Sequence, residues 1–381
     1  MNILRTSKLI SSNQNLIIDS VKSFCKDQLI PIVRENYKNE YFNKNLYKEF
    51  GKIGVLGSTI NGYGCLGESY KTYGLIAKEI EKVDSGFRSM VSVQTSLVMF
   101  PIYKFGSELV KEKYLPDLAK GEIVGSFGLT EPNAGSDTSQ LSTYAVEGDD
   151  HYILNGTKTW ITNSPIADVF VIWAKTNNGK INGFVLDRSM NGIDTPKIDG
   201  KLSLRTSVTG MIFLDNVKVP KENRLNVEGY KGPFSCLNRA RLGIAFGVLG
   251  ASEFCIEKVI EYSKDRTLFN QKLAEKQLFQ YKLAEMVSEY NLALLSCLYV
   301  SEIVNENEMY PEAISLLKRN SCSKSLNIAR ECRDILGGNG ITEEYDIFRH
   351  MCNLETVKTY EGTHDIHSLI IGNYVTNMKA F

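Results

Sequence analysis

A single acidic residue near the end of the sequence could be either a catalytic base or a solvated charge at a helix end. Glu361 follows an aromatic residue and precedes Gly362, in the segment TYEGTHDIHSLIIG at positions 359–372. A carboxylate held over a pocket could remove a proton from a bound ligand. Most glutamates beside a helix start only complement the helix dipole, so the local pattern by itself favours that simpler role.

The helix behind this glutamate is predicted to begin at Thr363. Threonine is a common N-cap, and Ile366, Leu369 and Ile370 follow at helical spacing, which predicts a buried stripe. The positive end of such a helix suits a phosphate group. Glu361 would therefore lie two residues before a potential anion site.

Two segments in the middle of the chain carry residues that could hold a ligand. GSFGLTEPNAGSD, at positions 125–137, is rich in small and hydroxyl residues, and such a loop exposes backbone N–H groups to a ring edge or a phosphate. TKTWITNS, at positions 157–164, places Trp160 between hydroxyl residues. Taken alone, the first segment is an irregular loop and Trp160 is a core residue.

An arginine earlier in the chain could bind a carboxylate. Glu81, Arg88 and Ser92 are spaced i, i+7 and i+11, and they share one helix face if the helix runs unbroken through Gly86. A guanidinium forks onto a carboxylate with two hydrogen bonds, to which a serine hydroxyl could add a third. Read in isolation, the segment favours a surface ion pair of Arg88 with Glu81 or Asp84.

One glycine pattern imitates a dinucleotide-binding loop. Gly62, Gly64 and Gly67 form G-x-G-x-x-G, and Glu81 lies near the expected acidic offset. That fingerprint requires a strand before the glycines and a parallel strand after the helix. Because both flanks have helical patterns, we predict a turn between helices instead of a nucleotide site.

The elements that position these residues change type along the chain. From 13 to 121 apolar residues recur at helical spacing, with an interruption at Pro116. From 124 to 226 the runs are short and rich in β-branched and aromatic residues, and Asn155–Gly156 is a type I′ hairpin signal. No helix-length stretch separates these runs. They predict a mostly antiparallel sheet or small barrel.

Helical patterns return after 232, so the order is helical, then β, then helical. We predict an α+β multi-domain protein with an N-terminal helical domain (1–123), a middle β domain (124–228) and a C-terminal helical domain (229–381). Small residues suited to close helix–helix contact recur near the start of the last domain, at Gly243, Gly247 and Gly250.

Composition excludes several classes of function. Lys plus Arg and Asp plus Glu both total 44, which argues against nucleic-acid and membrane-surface binding. The 8 cysteines form no C-x-x-C pair and there are only 4 histidines, so no zinc site is expected and the thiols are predicted to be reduced. No apolar run reaches the ~18 residues of a membrane span. The expected compartment is the cytoplasm of a bacterium or the mitochondrial matrix of a eukaryote.

Four motifs taken together resemble a known family. FGLTEPNAGSD, TWITN, DRTLF and YEGTHDIH occur in the order and at the spacing of the flavin-dependent acyl-CoA dehydrogenases, over essentially the whole chain. That resemblance implies the acyl-CoA dehydrogenase fold with a C-terminal four-helix bundle, FAD as cofactor and an acyl-CoA substrate. It also implies an electron-transferring flavoprotein as acceptor, and a homotetramer.

Within the family, VDSGFRSMVSVQTSLVM, TKTWITNSPIADVFV and GVLGASEFC look like the glutaryl-CoA dehydrogenases. The resemblance implies that Glu361 removes the α-proton, that the β-hydride passes to FAD, and that glutaconyl-CoA then loses CO₂ to give crotonyl-CoA. Glu361 N–H and a ribityl hydroxyl of FAD would hold the thioester oxygen, each donor worth about 3 kcal/mol. Arg88 would receive the substrate's terminal carboxylate, with Glu81 beside it.

The resemblance assigns the remaining site residues by position. Those matching substrate contacts are Ser89, Ser92, Ser136, Leu237, Asn238, Arg241 and Gly362. Those matching FAD contacts, some from a neighbouring subunit, are Phe127, Leu129, Thr130, Ser136, Trp160, Ile161, Thr162, Arg266, Gln277, Asp334, Leu336, Gly337, Gly338, Thr363 and Asp365. No residue is expected to bind a metal.

Several alternatives stay open. The enzyme could act on a short or branched acyl group, could oxidise glutaryl-CoA without decarboxylation, or could be a non-catalytic paralogue that binds flavin or CoA. Arg88 argues against the first and Glu361 against the last. The sequence departs from the family at Asn270, a common glycine, at Phe87, often tyrosine, and at Phe100, often histidine. The last two flank the substrate helix and leave the acyl preference open.

Overall fold

Helices make up most of the chain before the sheet begins. The computed structural model describes residues 2–305 and 307–380. The N-terminal helices are α1 (Ser12–Phe24), α2 (Val33–Asn39), α3 (Leu46–Lys52), α4 (Tyr70–Val83), α5 (Ser85–Ser92), α6 (Phe100–Phe105) and α7 (Glu108–Lys120), with a π-helical segment, Val93–Met99, between α5 and α6. Serine N-caps begin several of them: Ser69 Oγ accepts from Thr72 N, and Ser107 Oγ accepts from Val110 N.

Of two local predictions in this domain, the interruption at Pro116 is wrong and the loop at Gly62 and Gly64 is confirmed. Pro116 does not interrupt the helix, because α7 runs through it from Glu108 to Lys120. Leu115 and Leu118 on either side are buried, so packing holds the helix together across the missing N–H. The loop with Gly62 and Gly64 lies between α3 and α4, as predicted, and its flanks are helices.

The middle domain is a twisted, mostly antiparallel sheet. Its strands are β1 (Gly125–Gly128), β2 (Tyr144–Glu147), β3 (His151–Thr162), β4 (Val169–Thr176), β5 (Ile181–Asp187), β6 (Ile193–Asp194), β7 (Thr209–Pro220) and β8 (Arg224–Glu228). They are ordered β6-β7-β3-β2-β4-β5-β8, and β1 pairs with β4. Only the β1–β4 and β2–β4 pairs among these are parallel. The predicted antiparallel character is confirmed.

The prediction of a hairpin turn at Asn155–Gly156 is wrong, because both residues lie inside β3. Two neighbouring strands pair with β3 here and keep it continuous, and the extra residue forms a bulge opposite β7. Asn155 Oδ1 accepts from Asn216 N at 2.8 Å across the strands. A Cβ at Gly156 would lie 2.4 Å from Thr143 Oγ1, so strand packing requires this glycine.

The C-terminal domain is a helical bundle. Its helices are α8 (Lys231–Asp265), α9 (Gln277–Ile303), α10 (Pro311–Ile335), α11 (Ile347–Thr359) and α12 (His364–Thr376), and a short hairpin, β9 (Thr267–Leu268) with β10 (Gln271–Lys272), follows α8. The buried apolar core of this domain extends from α8 to α9, α10 and α11.

Close packing of α8 on α4 depends on the three glycines singled out in the sequence. A Cβ at Gly243 would lie 2.5 Å from Tyr73 Oη, and one at Gly250 would lie 1.9 Å from Lys78 O. Real Cβ atoms do not approach so closely, so any side chain would push the helices apart. The N-terminal and C-terminal domains therefore meet at this small-residue seam.

Helix α5 does not continue from α4, so the condition under which Glu81, Arg88 and Ser92 would share one helix face is not met. Asp84 is extended (φ −163°, ψ 138°), ends α4 and caps α5 by accepting from Gly86 N at 2.8 Å. The buried Asp84 carboxylate also accepts from Thr206 Oγ1 at 2.5 Å, from Arg349 Nη1 at 2.5 Å and from Asn353 Nδ2 at 2.8 Å. One carboxylate thus joins all three domains at the start of α5.

The cysteines are unpaired, as predicted: all 8 are free thiols, and Cys65 and Cys352 are the partly exposed ones. Across residues 2–305 and 307–380, no helix is both long and apolar enough to cross a membrane. In the same ranges no three His, Cys, Asp or Glu side chains cluster to hold a metal ion.

Candidate active site

Glu361 lies in the turn between α11 and α12, in a conformation that the sequence explains. Glu361 and Gly362 are both left-handed, with φ of 51° and 96°. A Cβ at Gly362 would lie 2.7 Å from the imidazole of His367, so glycine is required there. Thr363 caps α12 as predicted, with its Oγ1 accepting from Ile366 N at 3.1 Å. The turn therefore presents the glutamate directly before a helix N-terminus.

The buried stripe predicted behind this turn is wrong. Ile366 and Ile370 are half-buried and Leu369 is 38% exposed, while His367 is the buried residue of α12. The helix packs on α10 through a different face from the one the apolar spacing indicated. Its apolar residues remain largely on the surface of the single chain.

One carboxyl oxygen of Glu361, Oε2, is buried without a hydrogen-bonding partner among the described residues. Burial raises the pKa of Glu361 above its ordinary value, against the opposing effect of the cations Arg88, Arg241 and Lys318. An unsolvated carboxyl with a raised pKa has the properties of a general base.

Arg88 is fully buried beside this glutamate and is held by two partners. Its Nε donates to Glu81 Oε2 at 2.5 Å, and its Nη2 donates to Tyr360 Oη. Its Nη1 is buried with no hydrogen-bond partner among the described residues, so one donor stays available. Although the helix breaks at Asp84, Glu81 and Arg88 still pair; the pair is buried, so the surface ion pair favoured by the segment alone is wrong.

The other predicted substrate residues lie on α5, on α8 and in the loop after β1. Ser92 Oγ lies 3.1 Å from Tyr73 Oη, and Ser89 on α5 and Leu237 on α8 are buried. Arg241 Nη1 donates to Asn238 Oδ1 at 3.2 Å, and Arg241 Nε donates to Glu361 O at 2.7 Å. Ser136 is exposed in the loop after β1.

Gly247 makes the Glu81–Arg88 pair possible, and this gives a first prediction. A Cβ at Gly247 would lie 2.1 Å from Glu81 Oε2 and 3.1 Å from Arg88 Nε. We expect Gly247→Ala to displace the arginine and to lower kcat/KM for a substrate with a terminal carboxylate by about tenfold or more, equivalent to about 1.4 kcal/mol. Steady-state assays with glutaryl-CoA measure this.

The matched control is Gly372→Ala in α12, where a Cβ meets nothing within 4 Å. Because alanine favours a helix over glycine by about 1 kcal/mol, this control should retain activity and gain slightly in thermal stability. Equal kinetics for Gly247→Ala and the wild type would contradict the role given to the α4–α8 seam.

A second group of predicted residues lies at the loop after β1 and at the end of β3. Phe127, Leu129 and Ile161 are buried, and Thr130 and Thr162 are half-buried. Thr159 N donates to Thr130 O at 2.9 Å, which ties the loop to β3. The residues of both sequence segments therefore lie together.

The segment TKTWITNS, taken alone, predicted that Trp160 is a core residue, and this prediction is wrong. Trp160 is 62% exposed and left-handed, with φ of 59°, where a bulge in β3 turns it out of the sheet. A large aromatic residue in a strained and exposed position is a strong functional signal. Its ring offers an aromatic platform to a flat ligand.

A buried ion pair that the sequence reasoning missed supports this loop. Lys158 Nζ donates to Glu131 Oε1 at 2.8 Å and to Leu129 O at 3.0 Å, and Glu131 also accepts from the backbone N–H groups of Ser142 and Thr143. Burial opposes ionisation of Glu131, but Lys158 and these N–H groups outweigh it and lower the pKa of Glu131 to about 2. Burial lowers the pKa of Lys158 to about 8.

We expect Glu131→Gln to destabilise the loop and to weaken flavin binding. The substitution leaves the Lys158 ammonium buried without its counter-charge, which costs about 3–5 kcal/mol. Because the pKa of Glu131 is depressed in the folded state, the stability it contributes is present above pH about 4.5 and is lost as the pH falls toward 2. Urea unfolding and flavin fluorescence measure the two effects.

The double variant Glu131→Gln with Lys158→Met is the control for this prediction. It removes both charges and should recover most of the lost stability, since a neutral pair leaves no buried charge unpaired. A single variant as stable as the wild type, with normal flavin content, would show that the ion pair does not support the loop.

The third group of predicted residues lies at the far ends of α8 and α10. Arg266, Gln277 and Asp334 are exposed, as are Gly337 and Gly338, whereas Leu336 is buried. Arg266 lines a surface cleft of about 430 Å³ together with Tyr262 and Asn339, among others. Arg241 and Arg266 are 25 positions apart on α8, a separation of roughly 37 Å along the helix axis.

The departure at Asn270 has a structural explanation. Phe269 and Asn270 form the two-residue turn between β9 and β10, and both are left-handed, with φ of 50° and 61°. Asparagine tolerates this conformation better than other non-glycine residues. The exchange of glycine for asparagine is therefore compatible with the same hairpin.

The second group fits the ring system of a flavin. The ring of Trp160 is exposed, Thr130 and Thr162 are half-buried, and Ser126 Oγ on β1 is buried without a hydrogen-bond partner among the described residues. A flat aromatic ligand with polar atoms along one side could cover the Trp160 ring and form hydrogen bonds with the hydroxyl groups. An aromatic surface beside hydroxyl groups suits FAD.

The chain combines a helical domain, a middle sheet domain and a helical bundle, and an exposed tryptophan stands beside threonines at the sheet, an arrangement that suits a flavin-dependent enzyme. Residues 11–122 match the acyl-CoA dehydrogenase N-terminal domain, residues 126–217 the middle domain, and residues 228–376 the C-terminal domain. The chain belongs to the acyl-CoA dehydrogenase family. The predicted fold class and FAD as the cofactor are confirmed.

Three relatives show how the chain compares with known members. A glutaryl-CoA dehydrogenase from Mycobacterium smegmatis in complex with FADH2 is 44% identical, with 100% of this chain and 98% of that chain covered and a TM-score of 0.97. A short-chain-specific acyl-CoA dehydrogenase from Megasphaera elsdenii is 33% identical, covering 92% of this chain and 94% of its own. A chain in a structure of the electron transferring flavoprotein of Acidaminococcus fermentans is 33% identical, with 97% and 99% covered and a TM-score of 0.93.

Proposed function

We propose that this enzyme is an FAD-dependent glutaryl-CoA dehydrogenase. The observation that carries the proposal is the buried Arg88, whose Nη1 has no hydrogen-bond partner among the described residues and which lies beside the unpaired carboxyl of Glu361. A substrate with an acyl thioester at one end and a carboxylate at the other matches these two groups. The likeness to a glutaryl-CoA dehydrogenase of known structure supports the same substrate.

Glu361 is the proposed base. Its carboxylate takes the proton from the carbon next to the thioester carbonyl, a weak acid that requires a base shielded from water. Bound FAD supplies the hydride acceptor for the neighbouring carbon. The left-handed turn at Glu361 and Gly362 directs the side chain inward while its backbone oxygen is bonded to Arg241.

Arg88 is proposed to orient the far end of the substrate. Its Nε and Nη2 are already bonded to Glu81 and Tyr360, so the guanidinium cannot rotate freely. Nη1 then donates to the terminal carboxylate, a charge-assisted hydrogen bond. A fixed donor at this end sets which carbon atoms lie beside Glu361.

Decarboxylation and electron transfer are the finer parts of the proposal. After oxidation, the bond between the γ-carbon of glutaconyl-CoA and its terminal carboxylate breaks and CO₂ leaves. The electron pair left on the γ-carbon takes up the proton that Glu361 had removed, which gives crotonyl-CoA, and Arg88 holds the carboxylate until the bond breaks. Electrons leave to an electron-transferring flavoprotein, a proposal supported by the similar chain in a structure of such a flavoprotein.

A homo-oligomer, specifically a homotetramer, is also proposed. The resemblance assigns Arg266 and the ends of α8 and α10 to the FAD of a neighbouring subunit, and Arg266 lies roughly 37 Å along the helix axis from Arg241, which is bonded to Glu361 O. Apolar residues are exposed along α9, which suits a subunit interface. These are Leu278, Tyr281, Leu292, Leu295, Tyr299 and Ile303. Light scattering of the flavin-loaded protein measures the subunit number, and a monomer would contradict the proposal.

A dehydrogenase for short acyl groups is the second candidate, because the relative from Megasphaera elsdenii is short-chain specific. The two candidates differ in what Arg88 does. In a short-chain enzyme no substrate carboxylate meets this arginine, and a buried cation without a substrate partner has no evident use in binding.

Anaerobic titration of the purified enzyme with glutaryl-CoA, with trapping of CO₂, tests the proposal. We expect bleaching of the flavin absorbance and release of CO₂. Bleaching without CO₂ would leave the dehydrogenase and remove the second step. Bleaching by butyryl-CoA but not by glutaryl-CoA would establish the second candidate.

A further inference from the structure

We propose that Lys318 is a positioning residue for Glu361: its ammonium fixes the left-handed turn that carries the base and places a positive charge close to the carboxylate. This inference rests on the proposed function and deepens it. Lys318 lies in the first half of α10 and is only 1% exposed, which is unusual for a lysine.

The Lys318 ammonium is bonded entirely to the backbone of this turn. Its Nζ donates to Tyr360 O at 2.7 Å, to Gly362 O at 2.7 Å and to Lys358 O at 3.4 Å. An ammonium has three N–H donors, so all three are used, and two of the acceptors bracket Glu361. The backbone oxygen of Glu361 itself is bonded to Arg241. Two buried cations therefore fix four consecutive or nearly consecutive carbonyl groups around the base.

These bonds explain how a non-glycine residue keeps an uncommon conformation. Left-handed backbone at Glu361 costs of order 1–3 kcal/mol unless the surroundings enforce it. The carbonyl groups on each side of Glu361 can face Lys318 only when the turn has its observed shape. A lysine that served only as a C-terminal cap of α11 would need no bond to Gly362, which lies beyond that helix.

The Lys318 ammonium also lacks a direct ion-pair partner among the described residues. Of the described residues, none supplies a carboxylate within salt-bridge distance of its Nζ. Burial lowers the pKa of Lys318, while the charge of Glu361 raises it. Burial raises the pKa of Glu361, and Arg88, Arg241 and Lys318 lower it. The other titratable groups that interact with Glu361 are Tyr73, Tyr360, Cys322 and His367.

The test is the pH dependence of flavin reduction in Lys318→Gln, followed by stopped flow under anaerobic conditions with glutaryl-CoA. The wild-type rate should rise with pH through the pKa of Glu361, because only the carboxylate accepts a proton. Without the ammonium, the midpoint should move up by about one pH unit and the plateau rate should fall about tenfold. An unchanged midpoint and plateau in a folded, flavin-loaded variant would overturn the proposal.

Lys318→Arg separates charge from shape. Arginine keeps the charge but cannot place one nitrogen among three carbonyl groups, so the midpoint should stay within about 0.3 pH unit while the plateau rate falls. If Lys318→Gln fails to fold, this variant still decides: a shifted midpoint, or a plateau rate equal to that of the wild type, contradicts the proposal.

The matched control is Lys78→Gln, which removes another buried ammonium. Lys78 pairs with Glu253 between α4 and α8 and has no bond to the turn of Glu361. We expect lower thermal stability and an unchanged pH profile, and an equal shift of the midpoint would show that the effect is not specific. If no acyl-CoA bleaches the flavin of the wild-type enzyme, the proposed function fails. If glutaryl-CoA bleaches the wild-type enzyme, and the Lys318 variants have the same pH midpoint and plateau rate, only the role of Lys318 is refuted.

Discussion

Replacement of Glu361 by glutamine is expected to abolish reduction of the flavin by substrate while FAD stays bound. The amide fills the same space in the turn but cannot accept the α-proton, and a positioned base contributes about 10²–10⁴-fold to such a step. Because Glu361 Oε2 has no hydrogen-bond partner among the described residues, the substitution breaks no internal bond of the side chain. Folding and flavin content should therefore equal those of the wild type.

The measurement is single-turnover flavin bleaching at saturating substrate, which reports the chemical step alone. Glu355→Gln is the control, because Glu355 lies on the neighbouring helix α11, about half exposed, and pairs with Arg330 at the surface. It should retain the wild-type rate. Normal turnover in Glu361→Gln would assign the base to another residue and remove the basis for the role of Lys318.

The order of domains was readable from the sequence because each region has one kind of periodicity. Helical spacing dominates before 121 and after 232, and short β-branched runs lie between, as the structure has them. The expectations that failed were local. Asn155–Gly156 has turn chemistry but lies within β3, and Pro116 lies within α7. In both places tertiary contacts outweigh the local preference.

The candidate site was predictable where motifs carry it and not where contacts between distant residues do. Glu361, Arg88 and Trp160 stand in segments whose residue types are distinctive. Lys318 reaches a turn that lies 42 and 44 residues away in sequence, and nothing in the segment SLLKRNS marks that contact. One signal could have identified it. Lys318 is spaced four residues from both Ile314 and Cys322 on the same helix face, which predicts that its side chain is buried.

Replacement of Arg88 by methionine is expected to separate glutaryl-CoA from butyryl-CoA. Methionine keeps much of the apolar volume, but the terminal carboxylate of glutaryl-CoA would meet no cation. Loss of one partner of a buried charge pair costs about 2–5 kcal/mol, so kcat/KM for glutaryl-CoA should fall by about 30-fold to about 4,000-fold. Butyryl-CoA has no terminal carboxylate, and its kcat/KM should fall by less than about tenfold.

Stability has to be separated from binding in this experiment. Arg88 is the bonded partner of Glu81, so the single substitution leaves that carboxylate buried and unpaired. The double variant Arg88→Met with Glu81→Gln removes this penalty, and it should regain thermal stability without regaining activity on glutaryl-CoA. Recovery of both would mean that the single variant had failed for structural reasons.

The two substrates decide between the candidate functions because they differ only at the end that Arg88 faces. Equal losses for glutaryl-CoA and butyryl-CoA would place the terminal carboxylate elsewhere, and Arg88 would then serve only to hold Tyr360 and Glu81 in position. A selective loss would connect a donor left unpaired in the folded chain with the one charge that distinguishes glutaryl-CoA from a simple short-chain substrate. The buried arginine is then the specificity determinant, and the carboxyl of Glu361 is the group whose distance from it selects the chain length.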